Sequence, residues 1–100
     1  MTRAPRTWVL LGQRRGDNNQ LLALAEGLGI PFETRTLSYR SIARMWMKLF
    51  PRSIRHVEEA GARWLTPPWP DLVIGIGRRS VAVARWIQQQ SGDRARIIRL

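Results

Sequence analysis

The sequence contains no cysteine. Disulfides, thiolate metal sites and cysteine nucleophiles are therefore excluded, and the fold must stand on packing alone. Histidine and lysine occur once each, as His56 and Lys48. A single histidine without a cysteine or carboxylate cluster does not make a metal-ligand set, and Lys48 lies in no Gly-Lys-Ser or Gly-Lys-Thr phosphate loop. Ser80, His56 and Asp71 form a triad only on paper, since the Gly-x-Ser-x-Gly elbow is missing. Long apolar runs are also absent: no window approaches the roughly 20 residues of a spanning helix. The apolar piece near the amino terminus, Trp8 to Leu11, is too short for a signal-peptide core. Negative charge is scarce, with seven acidic residues against seventeen basic ones.

What remains is apolar and cationic. One hundred residues, 44% of them hydrophobic and five of them tryptophan, suffice for one packed domain over residues 1–100. The net charge is +10, and all but one of the basic residues are arginine. Such a field suits nucleic acid, anionic lipid or a phosphorylated ligand, or is simply a solvated arginine-rich surface. Nucleic acid is the least supported of these partners, because no base-reading motif or stacking platform is present.

The stretch around which the chain is organised is Pro70-Asp71-Leu72-Val73-Ile74-Gly75-Ile76-Gly77-Arg78-Arg79-Ser80, followed by a helix-spaced apolar run to Gln90. It reads as strand, glycine turn, helix. Leu72 to Ile74 form the continuous run of a strand buried on both faces. Gly75 and Gly77 supply positive φ or close backbone approach, so that the helix starts over the strand's carboxyl end. Arg78 and Arg79 add charge where the helix dipole is already positive, which favours a phosphate or carboxylate.

In chain order, Thr7 to Leu11 reads as the first strand and Gly12 to Gly16 as its exit. Asp17, with Gln20 three residues on, matches the start of a helix bearing a capping box. Leu21, Leu24, Ala25 and Leu28 form its apolar face, and Gly29 its left-handed stop. Phe32 to Leu37 reads as a second strand nearer an edge. Ser41 and Ser53 are placed to cap two further helices, the second with Ile54, Val57, Ala60, Gly61 and Trp64 on one face. Thr66 to Pro70 is an extended approach, Ser91 to Asp93 a turn, and Ala95 to Leu100 a last strand. A chain ending on an uncovered strand reads as part of something longer. The order implies a Rossmann-like three-layer α/β/α domain with a four-stranded, mainly parallel sheet. Ligands of such sheets sit beyond the strands' carboxyl ends, where the winding reverses.

Two loops meet that rule. Gly12-Gln13-Arg14-Arg15-Gly16-Asp17-Asn18-Asn19-Gln20 offers guanidinium forks and amide groups suited to a sugar or pyrophosphate. Equally, Asp17 and Asn18 could cap the helix while the arginines are solvated. The second loop is Gly75 to Ser80. It resembles a dinucleotide fingerprint only superficially, since Ser80 replaces the third glycine and no acidic residue ends the following strand. The segment bearing Met45, Trp46, Leu49 and Phe50 with Arg40, Arg44, Lys48 and Arg52 carries rings and cations as a membrane interface does, or as an ordinary core-facing helix does.

Trp8 to Gly12 with Arg15-Gly16-Asp17-Asn18-Asn19-Gln20, and Asp71 to Gly75 with Gly77-Arg78-Arg79-Ser80, resemble bacterial members of the mitochondrial-fission "elongated mitochondria" family. That family is distantly similar to GT-B glycosyltransferases such as MurG. The resemblance implies the amino-terminal, acceptor-side half of a longer two-domain protein, partnered by a carboxyl-terminal domain. It places no cofactor in these residues and a nucleotide-sugar in the full-length protein. It implies the two glycine-bearing loops as a site for a phosphorylated or sugar ligand, and Met45, Trp46, Leu49 and Phe50 as a patch on an anionic membrane. A cytoplasmic protein, peripheral at the inner membrane face, follows. The residues leave two other readings open: a non-enzymatic recruitment domain, and a nucleotide-sugar epimerase-type Rossmann domain. Whether the full-length protein is an enzyme is left open; the hundred residues alone are expected to be inactive.

Overall fold

A run of consecutive apolar residues needs cover on both faces, and this decides the architecture. The computed structural model describes residues 6–39, 49, 57–58 and 62–100. Among these residues six elements follow in order: β1 (Thr7–Leu11), α1 (Arg15–Gly27), β2 (Glu33–Thr36), β3 (Leu72–Gly75), α2 (Gly77–Gln90) and β4 (Arg96–Arg99). The strands form one sheet in the order β2-β1-β3-β4, and every pairing between them is parallel. The central strands β1 and β3 are almost wholly buried, whereas at the edges β2 exposes most of its residues and β4 exposes its two end residues, Arg96 and Arg99.

Side chains alternate across a strand, so neighbours in sequence enter different layers. Val9 and Ile74 pack with Leu21 and Ala25 of α1. Trp8, Leu10 and Val73 pack with Val83, Ala84 and Ile87 of α2. The two helices therefore cover opposite faces, giving the three-layer, Rossmann-like α/β fold that the sequence implies. The reversal of winding falls between β1 and β3, which pair as Thr7 with Leu72, Trp8 with Val73 and Val9 with Ile74.

The α2 side is rich in aromatics. Trp69 lies between Trp8, with ring centroids 6.1 Å apart, and Trp86, at 5.6 Å in an edge-to-face arrangement. Arg35 of β2 closes the stack with its guanidinium 4.5 Å from the Trp8 ring, while donating to Glu33 and to the Thr34 carbonyl. The extended, proline-rich approach to β3 thus delivers a half-buried ring that packs against the core. Asp71 then ties the start of β3 to β1, its carboxylate accepting from the Arg6 amide at 2.8 Å.

Three expectations need correction. Helix α1 begins at Arg15 with Arg14 as its N-cap, so Asp17 lies in the first turn and no capping box sets the start. Asp17 still favours the positive helix end through its charge. Leu28 is exposed, because the helix stops at Gly27 and turns through Gly29 at φ +68°. Val57 is not a helical residue: it is buried in the α2-side core and forms an antiparallel bridge with Tyr39, and the Glu58 amide donates to the Ser38 carbonyl. A β-branched side chain that can fill a buried slot beside the sheet outweighs helical periodicity there. The rest of the helices expected from Ser41 and Ser53, including Met45, Trp46, Phe50 and His56, lies outside the described residues.

Candidate functional site

Because β1 and β3 are adjacent and parallel, their carboxyl ends open on the same rim, and the loops that leave them lie side by side. Between them is a cleft of about 880 Å³. Gly12, Gln13, Arg14, Asp17 and Asn18 line it from the β1–α1 side, and Ile76, Gly77, Arg78, Arg79 and Ser80 from the β3–α2 side. Tyr39, Val81, Ala82, Arg85 and Arg99 complete the lining. Among the described residues, five guanidinium groups thus converge on one cleft against the single carboxylate of Asp17.

Each wall has a local cause. Gly77 starts α2 at φ +82°, a backbone conformation that a side chain would strain. Gly75 is needed for closeness instead: a Cβ there would sit 3.1 Å from the Ser80 Cβ. The chain can therefore fold back at once, and α2 begins two residues beyond the strand. Neither N-cap residue, Arg14 nor Ile76, caps its helix with a side chain. First-turn N–H groups and the positive ends of two helix dipoles accordingly face the same opening.

Two polar contacts hold the walls. Asn18 uses its whole amide on Gly12, accepting from the Gly12 N–H and donating to its carbonyl, both at 2.9 Å. This residue shapes the loop. The hydroxyls of Tyr39 and Ser80 are hydrogen-bonded at 3.2 Å, and the Arg79 guanidinium lies 5.5 Å from the Tyr39 ring centre. Burial raises the Tyr39 pKa above its ordinary value of 10.0, outweighing the bond to Ser80 and the charge of Arg79, which both act downward. Tyr39 is therefore a neutral hydroxyl at physiological pH.

Of the residues named from sequence, Gly12, Arg14, Asp17, Asn18, Gly77, Arg78, Arg79 and Ser80 line the cleft. Arg15, Gly16, Asn19 and Gln20 lie on the exposed surface of the first turns of α1, and Gly75 is buried at the end of β3. Tyr39, Arg85 and Arg99 were not foreseen. Arg85 had a signal, since it stands seven residues after Arg78, with Val81 and Ala82 between them on one helical face. Arg99 arrives through strand register, paired with Gly75. It shares the sheet face of Ile97, which packs on the α2 side.

Among the described residues no three His, Asp or Glu side chains gather into a metal-binding group, and no helix is long and apolar enough to cross a membrane. Of the expected membrane patch, only Leu49 is described, and it is 62% exposed. No curated protein and no solved structure matches the chain. The family described as Mitochondrial fission ELM1 matches residues 15–100, which takes in both helices, three of the four strands and most of the cleft. The chain belongs to the mitochondrial fission ELM1 family.

Proposed function

We propose that the cleft at the ends of β1 and β3 binds a phosphorylated or glycosylated ligand, and that the chain is the acceptor-side half of a GT-B-like, glycosyltransferase-related protein. The observation that carries this reading is the convergence of Arg14, Arg78, Arg79, Arg85 and Arg99 on one cleft beside two helix starts. Guanidinium forks match phosphate oxygens in pairs, and helix N–H groups aimed at the same place add to them. Gln13 and the neutral hydroxyls of Tyr39 and Ser80 offer donors and acceptors to a sugar. In this reading the role of these residues is binding. A nucleotide-sugar belongs to the other half of the full-length protein in this reading.

Calorimetry with glucose 1-phosphate, glucose and NAD tests it. Glucose 1-phosphate should bind, and the Arg78→Ala, Arg79→Ala double variant should weaken it at least about tenfold, two charge-assisted hydrogen bonds being lost. Binding of NAD in preference would point to an ordinary Rossmann cofactor domain. Binding of none of the three would leave a recruitment domain.

That second reading has its own support. Leu49 and Trp64 are 62% and 66% exposed, large apolar side chains on a strongly cationic protein. Anionic lipid at the cytoplasmic membrane face is the surface such a combination would meet. Flotation with phosphatidylserine vesicles should fall strongly in Trp46→Ala; unchanged flotation counts against the patch of Met45, Trp46, Leu49 and Phe50.

A further inference from the structure

One phosphate group needs two or three of the five guanidinium groups that line the cleft, and the others need an explanation. Arg85 stands seven residues beyond Arg78 on the same face of α2, about 10.5 Å along the axis at 1.5 Å per residue. Val81 and Ala82 floor the space between. Long helical side chains lean toward the helix N-terminus, so Arg85 leans toward Arg78. Arg99 comes from β4, opposite Gly75 in the sheet, and approaches the same end of α2 from the side. Among the described residues neither Arg85 nor Arg99 has an ion pair; the carboxylate that lines the cleft, Asp17, belongs to the other helix. Arg85 and Arg99, like charges brought to one cleft without an ion pair among the described residues, repel, and a single tetrahedral anion at the helix starts would leave them unneutralised. The cleft, at about 880 Å³, is also far larger than one phosphate requires.

We infer that the site takes a diphosphate: one phosphate at the starts of the two helices with Arg14, Arg78 and Arg79, and the adjoining one beside it, reached by Arg85 leaning back toward the start of α2 and by Arg99 from β4. This rests on the phosphate-binding reading above and narrows it. Arg85 and Arg99 become the residues that distinguish a diphosphate from a monophosphate. The class of ligand is then a nucleoside diphosphate derivative or a diphosphate-linked sugar or lipid, which share the anhydride recognised here.

Inorganic phosphate and pyrophosphate are the probes, titrated into the whole chain by calorimetry at about 0.15 M ionic strength so that long-range charge effects are screened. Pyrophosphate should bind at least about tenfold more tightly than phosphate, and in the Arg85→Ala, Arg99→Ala double variant the ratio should fall to about threefold or less. All four positions to be altered, including Arg63 and Arg94 in the control, are exposed, so each variant should fold, as circular dichroism can verify. The Arg63→Ala, Arg94→Ala control removes equal charge away from the cleft and should keep the ratio. A ratio untouched by Arg85→Ala, Arg99→Ala, or reduced equally in the control, overturns the inference. Phosphate binding that depends on Arg78 and Arg79, with pyrophosphate no tighter, removes the second subsite but leaves the parent reading standing. Binding of neither anion overturns the inference together with the phosphate-binding reading on which it rests.

Discussion

Gly75 is where the sheet, the helix start and the cleft depend on one missing methyl group, and this makes it the sharpest test of the structure. A Cβ at residue 75 would lie 3.1 Å from the Ser80 Cβ and 3.9 Å from a Leu10 methyl. The Ser80 Cβ is fixed to the first turn of α2, so relief requires the helix start to move, and with it the Tyr39–Ser80 hydrogen bond. Overpacking of this kind costs about 1–3 kcal/mol. Gly75 has ordinary strand dihedrals, since the positive-φ glycines are Gly29, Gly77 and Gly92. Alanine therefore also gains about 0.4–1 kcal/mol from the restricted unfolded chain. The net expectation for Gly75→Ala is a loss of about 1–2 kcal/mol, a fall in melting temperature of about 5–10 °C for a domain of this size. The cause is isolated by changing residue 80. Ser80→Ala keeps the Cβ and loses only the hydroxyl, so Gly75→Ala should cost as much in that background as in the natural one. Ser80→Gly removes the Cβ, and although it costs about 1 kcal/mol in helix propensity by itself, Gly75→Ala should then be neutral or slightly stabilising. Thermal melts of the six proteins decide it. If the cost of Gly75→Ala agrees within about 0.5 kcal/mol in all three backgrounds, the two residues are independent and the close approach described here is wrong.

Two further outcomes follow from the walls of the cleft. Asn18→Ala removes both bonds to Gly12 and should cost about 1–2 kcal/mol in urea unfolding; Asn18→Asp restores only the acceptor and should recover less than half of that. Tyr39 is the sole tyrosine, so phenolate absorbance reports it without interference, and its midpoint should lie above 10.0. Because the folded protein then holds this proton more tightly than the unfolded chain, the stability Tyr39 contributes is complete below the ordinary value and falls as pH rises through the shifted one. Tyr39→Phe should flatten that alkaline decline, and a midpoint at or below 10.0 would contradict the burial.

The strands and both βα turns were legible because their signals are local and mutually consistent. Leu72 to Ile74 lie between proline and glycine, and Thr7 to Leu11 run into Gly12, so neither segment has a competing period to follow. The loops' adjacency follows from topology once four parallel strands and two helices are granted, since the crossover rule leaves β1 and β3 as the natural neighbours. Local pattern failed where a distant partner supplied the deciding energy. Asp17 fits a capping box, yet the amide of Asn18 grips Gly12 and the N-cap falls three residues sooner, at Arg14. Val57 fits a helical face, yet the core beside Tyr39 takes it into a bridge. Trp69, flanked by prolines, has no periodicity at all, and the rings of Trp8 and Trp86 draw it against the core. The same reasoning explains the incomplete site. A chemical group announces itself in sequence when its own neighbours shape it, as the glycines shape Arg78 and Arg79. Tyr39 reaches Ser80 across 41 positions of chain, and Arg99 reaches the cleft through its register with Gly75. Both owe their place to the assembled sheet, so a charge census of the sequence sees sixteen arginines, while the fold gathers five of the described ones at a shared opening.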